Sequence, residues 1–501
     1  EAENEFALHT DDLQSAAAEQ DDNQPEQDGN DAPDFESGKA NQDELRIPCP
    51  NGHILDVTRD MLDEEAICPF CEEQFELKER NSLEAIEKQD DVLNAFITVF
   101  ADDARRQARN ADAAISDGHD VGPLHGIPIS VKDMIDVRGT RTTAASHVRA
   151  DHRASTDAEL VTRLRQAGAI VIGKCNLHEF AFGTTGYESA FGFTRNPHSE
   201  QRIPGGSSSG SAVSVATDMA IASIGTDTGG SIRIPASACG VVGLKPTHGE
   251  VSLSGVVPLA PTLDHAGPLT STVADAQLLF ELLRQTTGAA PKKYQKTLDQ
   301  THFSVPRKYF FDKMDKDIAS IFEHTVHTLE ACGSVVTDVE IPHATEIPTV
   351  YLHTQLPEAA LSHQLTLKTQ PELYSPSVRA RLELGRYVLA EDYLLAQHGR
   401  EVLRREVDNA LVKSEALILP TLPIVPPMLG DDSLTIDGET DSVRALTLRL
   451  TQLFDLTGHP AISLPCGRID GIPTGIQLIG RRHATNELLT LAKQVESVIN
   501  V

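Results

Sequence analysis

The sequence of 501 residues has no apolar run near the ~20 residues that a membrane span requires. Its first residues, Glu1 to Asp22, are acidic and do not lead into an apolar segment as a secretory signal would. No membrane association is expected, and the cytoplasm is the expected compartment. The chain starts at Glu1 without a methionine, which leaves a processed leader open. Basic residues are scarce: 43 Lys and Arg stand against 74 Asp and Glu, for a formal net charge of −31. Non-specific nucleic-acid binding draws its affinity from cations that neutralise phosphates, so no nucleic-acid partner is expected. Cysteines number only seven, too few in so long a chain for a disulfide framework. No internal repeat of solenoid length is present.

What is there changes character twice along the chain. Residues 1–44 hold fifteen acidic residues against the single Lys39, with few large apolar side chains. Such a segment cannot bury enough surface to offset the entropy of ordering, and a disordered acidic tail is expected. Residues 45–79 turn to short apolar runs and turn residues, and carry Cys49, His53, Cys68 and Cys71. Three thiolates and one imidazole, paired on two turns, make a complete tetrahedral donor set for zinc. The spacing predicts a zinc-ribbon-like module with a structural metal: four protein ligands leave no open position for water, and so small a core needs the ion to fold. No cofactor is expected for catalysis.

From residue 80 to 501 helical and strand patterns alternate, which predicts an α/β fold with catalytic loops at strand ends. Thr156 and Glu159 are spaced as a capping box ahead of the Leu160 and Leu164 stripe, and Gly168 can end that helix. Residues 169–173 and 220–225 read as buried strands, with a helix of small residues over 211–219.

Two Gly/Ser segments stand out. Gly205-Gly206-Ser207-Ser208-Ser209-Gly210-Ser211 precedes the small-residue helix, where its glycines permit tight backbone geometry close to a ligand. The second, residues 225–235, comes directly off a strand and contains Asp227-Thr228-Gly229-Gly230-Ser231. Gly229 and Gly230 let consecutive backbone N–H groups converge beside the Ser231 hydroxyl, as a nucleophile beside an oxyanion hole requires. A phosphate loop is disfavoured because neither segment ends in Gly-Lys-Ser/Thr. None of the 19 histidines shows a motif that ties it to Ser231. Lys132 ends the apolar strand of residues 126–133, and burial there would lower its pKa and supply a neutral amine as base. Asp227 and Arg233 flank the nucleophile loop and are expected to hold its shape as a charge-assisted pair, with Ser208 helping to position it. His178 is expected to be structural or solvated.

Together these segments resemble the amidase signature family, whose mark is a Gly/Ser-rich stretch around a Ser-Ser-Lys triad. The strand ending at Lys132, residues 205–211 and residues 227–235 running into 239–247 occur in family order and at family-like spacing. Residues 173–180, 263–269, 455–460 and 473–480 fit as well, so the resemblance covers about residues 81–501. It implies a mixed central β-sheet covered by helices on both faces, and makes residues 80–501 the catalytic domain. It also implies that Ser231 is the acylated nucleophile, Ser207 the bridging serine after a cis Gly206–Ser207 bond, and Lys132 the base, with the backbone N–H groups of Thr228, Gly229, Gly230 and Ser231 stabilising the oxyanion. One departure is that residues 81–94 leave room for only a short opening helix, where the family usually has a longer one.

The function this implies is hydrolysis of a small-molecule carboxylic amide through an acyl-Ser231 intermediate, by a monomer or a homodimer. A second reading is the glutaminase-type component of a tRNA-dependent amidotransferase, which would require a glutamine-binding acid shortly before residue 458 as well as a partner subunit. Residues 447–452 contain no acid, although Arg379 or Arg381 offers a cation for a substrate carboxylate. A third reading, an interaction protein carrying an inactive hydrolase domain, is disfavoured by the complete triad.

Overall fold

The computed structural model describes residues 81–499 apart from 120–121 and 286–295, and within residues 1–80 it describes four strands. The chain divides into two compact units, Glu1–Glu79 and Arg80–Val501. In the first, β1 (Glu44–Pro48) pairs antiparallel with β2 (Ile54–Thr58), and β3 (Glu65–Ile67) with β4 (Gln74–Glu76). Cys49, His53, Cys68 and Cys71 lie outside the described residues, as does the acidic segment 1–43.

The second unit is built on one mixed sheet of eleven strands. In chain order they are β5 (Phe96–Val99), β6 (Pro128–Lys132), β7 (Ile170–Cys175), β8 (Ala222–Asp227), β9 (Val242–Lys245), β10 (His265–Thr270), β11 (His302–Val305), β12 (Val335–Asp338) and β13 (Ala416–Pro420). An outlying hairpin, β14 (Ser433–Ile436) with β15 (Glu439–Ser442), comes next, and β16 (Ala461–Ile469) and β17 (Ile472–Ile479) complete the sheet. Across the sheet the order is β12-β11-β13-β17-β16-β9-β10-β8-β6-β7-β5. β6 runs parallel to both β7 and β8, so Lys132 and Asp227 end their strands at the same edge.

Side chains of a strand alternate between faces, and here both sets are buried. In β7, Val171 joins the core formed with helices Glu159–Gln166 and Val273–Leu283, while Ile170 and Ile172 join the core under helices Ser209–Ala216 and Arg233–Cys239. The expected sheet with helices on both faces is what the structure shows. A further apolar cluster brings Met134, Phe180 and Phe182 against Leu356, Val378 and Leu382, seating helices Ile347–Ser362 and Pro376–Gly385 over the loops at that sheet edge. Among the described residues no helix is long and apolar enough to cross a membrane.

The local elements form as expected in kind but shift in their bounds: the strands expected at 169–173 and 220–225 run Ile170–Cys175 and Ala222–Asp227. The opening helix is Ser82–Leu93, bounded by Asn81 and Asn94. The small-residue helix spans Ser209–Ala216, two residues earlier at its start than its composition suggests. The capping box at Thr156 does not form: helix Glu159–Gln166 starts from Ala158 with no side-chain cap, and Thr156 is exposed. Tertiary carbonyls make a cap unnecessary, because Ala158 N donates to Asp136 O and Glu159 N to Ser254 O. Gly168 does follow the helix end with φ +93°.

Candidate active site

Lys132 closes β6 with its side chain fully buried, and its Nζ lies 2.7 Å from both Ser207 Oγ and Thr226 Oγ1. Burial pulls its pKa from 10.5 down to about 7, against the opposing pull of Asp227 and Asp264. A lysine so placed is neutral in a large fraction of molecules near pH 7.

Ser207 follows a cis peptide bond from Gly206. The next residue ties this loop to the second: Ser208 N donates to Ser231 O at 3.1 Å, and Ser208 Oγ donates to Thr226 O at 3.0 Å. Ser231 leads into helix Arg233–Cys239 and is 6% exposed. Among the described residues no hydrogen bond joins the Ser207 and Ser231 hydroxyls. Of the three candidate residues, Lys132 and Ser207 are the pair in direct contact among the described residues.

The nucleophile loop is held from beneath by Asp227 at the end of β8. Its carboxylate accepts from Gly230 N at 2.6 Å and Ile232 N at 3.1 Å, and pairs with Arg233 Nε at 3.1 Å. The Gly230 N–H, expected among the oxyanion donors, is therefore already used by the loop's own scaffold. Among the described residues no hydrogen bond is seen from the Thr228, Gly229 and Ser231 amides to a protein acceptor. Gly230 has φ +136°, and a Cβ there would lie 2.3 Å from Thr451 Oγ1; both facts require glycine. At Gly229 a Cβ would lie 2.2 Å from Tyr351 Oη, so that ring closes directly over the loop.

Arg233, fully buried, spends all five donors: on Asp227 twice, on Asp455 Oδ2 at 2.6 Å, on Thr451 O and on Gln477 Oε1. Burial works to raise both carboxyls. At Asp227 the Arg233 charge outweighs it and holds the group well below the usual range, whereas Asp455, repelled by Asp227, is pushed well up. Thr451 Oγ1 also donates to Gly229 O at 2.6 Å. Asp264 receives the Thr228 hydroxyl at 2.7 Å and the amides of Leu259 and Ala260. A cavity of about 100 Å³ opens between Met134, Ala181, Thr226, Thr228 and Val257.

The sequence missed Thr226, Tyr351, Thr451, Asp455 and Gln477. Asp455 stands inside a segment that resembled the family, but nothing local says that it meets Arg233. His178 is buried and structural: Thr185 Oγ1 is 3.3 Å from its Nδ1, and Glu188 lies 3.4 Å from its Nε2. Arg379 pairs with Glu383 along its own helix at 2.7 Å, while Arg381 faces Glu188 at 3.8 Å. Among the described residues no three His, Cys, Asp or Glu are grouped to hold a metal.

Residues 80–489 match the family described as Amidase. The chain belongs to the amidase signature family. It is 39% identical over 388 residues to an amidase of Pseudomonas putida, covering 75% of this chain and 82% of that one. It is 35% identical over 452 residues to the A subunit of the glutamyl-tRNA(Gln) amidotransferase of Koribacter versatilis, covering 83% and 93%. A crystal structure of an amidase superposes with a TM-score of 0.78 at 36% identity, covering 84% of this chain and 95% of that one. The family and the fold together make the chain an amidase-family hydrolase acting on carbon–nitrogen bonds.

Proposed function

We propose that the chain hydrolyses a carboxylic amide through an acyl-enzyme on Ser231. The observation that carries this is the 2.7 Å contact between Ser207 Oγ and a fully buried Lys132 whose pKa is pulled to about 7. Neutral Lys132 takes the Ser207 proton as Ser207 takes that of Ser231, and Ser231 Oγ attacks the amide carbonyl. The Thr228, Gly229 and Ser231 amides stabilise the oxyanion. Return of the proton through Ser207 releases ammonia or an amine, and water hydrolyses the ester. Asp227 and Arg233 position the loop without touching the reacting atoms. The test is Ser231→Ala with folding confirmed by circular dichroism; amidase activity equal to that of the wild type refutes the mechanism.

The similarity to amidotransferase A subunits, over 93% of the Koribacter relative, supports a second reading in which the same triad releases ammonia from glutamine for a partner subunit. Against it, the stretch expected to supply a glutamine-binding acid supplies Leu448, whose side chain packs on the Gly229 position. Activity on glutamine alone, and only with a partner subunit present, favours the second reading. For residues 45–79, the donor set of Cys49, His53, Cys68 and Cys71, spaced around two antiparallel strand pairs, suits a structural zinc.

A further inference from the structure

The helices that cover the catalytic loops do so with one side only. Helices Ile347–Ser362 and Pro376–Gly385 turn Leu356, Val378 and Leu382 inward against Phe180 and Phe182. On the other side, together with helix Gln364–Thr369 and the start of helix Ala390–Ala410, they leave Leu361, Leu365, Leu384, Tyr387, Leu394 and Leu395 between 57% and 80% exposed. A surface helix normally turns its polar residues outward, so large apolar side chains gathered on that side mark a contact surface.

The packing of these helices brings the six residues to one end of helix Ile347–Ser362. Helical hydrogen bonding runs through the junction at His363, from His363 N to Ala359 O at 3.1 Å and from Leu367 N to His363 O at 2.8 Å. Leu361 and Leu365, four positions apart, therefore share one side. Helix Pro376–Gly385 crosses here so closely that a Cβ on Gly385 would lie 3.0 Å from Ala360 Cβ, which brings Leu384, and Tyr387 just after it, to the Leu361 end. Helix Ala390–Ala410 runs antiparallel along the same helix: Gln397 Nε2 donates to Thr354 Oγ1 at 3.3 Å, and Tyr393 Oη to Glu358 Oε1 at 3.1 Å. Its first turns, with Leu394 and Leu395, lie at that end too. The six residues present on the order of 700 Å² of apolar surface. That is above the roughly 300–600 Å² of the largest patch on an ordinary monomer, and near the roughly 800 Å² that each partner gives to a standard interface.

Charge identifies the occupant. Residues 361–395 hold four acidic and four basic residues, in a chain whose formal net charge is −31. Two copies can meet on this neutral face without the repulsion that the acidic remainder of the chain imposes. A lipid surface is disfavoured, because helices that lie on anionic lipid carry an excess of Lys and Arg. A strongly charged partner would find no counter-charge. We propose that this face is the contact of a two-fold homodimer, in which each chain buries the patch against the same patch of a second copy. An isologous contact of this kind lets the acidic and basic residues at the rim pair across the axis. It joins the two catalytic units through the helices that cover their loops.

Sedimentation velocity on the full chain between about 0.5 and about 50 µM tests the proposal. The wild type should dimerise in this range. Its dissociation constant should fall when NaCl is raised from about 0.1 to about 1 M, because salt screens the mutual repulsion of two acidic chains and leaves an apolar contact intact. Leu365→Glu and Leu395→Glu, at exposed positions and with folding checked by circular dichroism, should each weaken the dimer at least about 100-fold, or two decades of Kd. Ile115→Glu, at an exposed site on helix Ala101–Ser116, should leave it unchanged. Hydrogen exchange on the wild type reads the same contact without a variant: residues 384–395 should exchange more slowly at the higher concentration than at the lower. A wild type that stays monomeric throughout overturns the proposal. So does a dimer untouched by both glutamate variants, or one that gives residues 384–395 no added protection. Monomeric protein that sediments with phosphatidylcholine vesicles, and no longer does so as Leu365→Glu, overturns it in favour of a lipid surface.

Discussion

If Lys132 is the base, replacing it with methionine should abolish activity and yet make the protein more stable at neutral pH. The side chain is fully buried and burial holds its pKa at about 7, whereas an unfolded lysine titrates near 10.5. Between those two values the unfolded chain binds the proton and the folded chain gives it up, so wild-type stability rises with pH across this window. At pH 7 the mismatch costs the folded state about 4 kcal/mol, at about 1.4 kcal/mol per decade. Methionine keeps the length and carries no charge. It also leaves the hydroxyls of Ser207 and Thr226 without their contact to Nζ, a loss of about 1 kcal/mol each. Lys132→Met should therefore be more stable than the wild type by about 2 kcal/mol at pH 7. The advantage should shrink as pH rises and reverse above about pH 9, where the lysine penalty has fallen below the loss of the two contacts. Urea denaturation at pH 6, 7, 8, 9 and 10 measures the difference. A difference independent of pH, or a wild type more stable throughout, would show that Lys132 is not held neutral and would remove the basis for its role as base.

Three further outcomes follow from the same geometry. The kcat/KM for an amide should rise about tenfold per pH unit up to about pH 7 and then level, as Lys132 loses its proton; a plateau reaching down to pH 5 would exclude it. Arg233→Met should destabilise the fold by about 3–5 kcal/mol, because it leaves Asp227 and Asp455 buried together without their cation; adding Asp455→Leu should recover part of that loss in denaturant titrations. Cys175 and Cys239 are buried and burial pushes both thiols up, Cys175 to about 11, so iodoacetamide at pH 8 should leave activity intact and neither residue alkylated by mass spectrometry.

The parts of the site legible in the sequence are those built from local chain. Lys132 ends an apolar strand, Ser207 lies in a Gly/Ser loop that enters a helix, and Ser231 follows the strand ending at Asp227 within four residues, so short-range pattern suffices to mark each. The supports that make these residues work come from far along the chain. Arg233 meets Asp455 across 222 positions and Gln477 across 244, and Thr451 reaches Gly229 across 222. Periodicity and spacing carry no information about such pairs. The same limit explains why Gly230 reads as an oxyanion donor: its amide counts as free until the Asp227 carboxylate is seen turning back beneath it at 2.6 Å. The chemistry of amide cleavage is thus written in contiguous segments. The contacts that hold those segments against one another join elements far apart in sequence, which is why the candidate triad can be proposed from the sequence and its supports cannot.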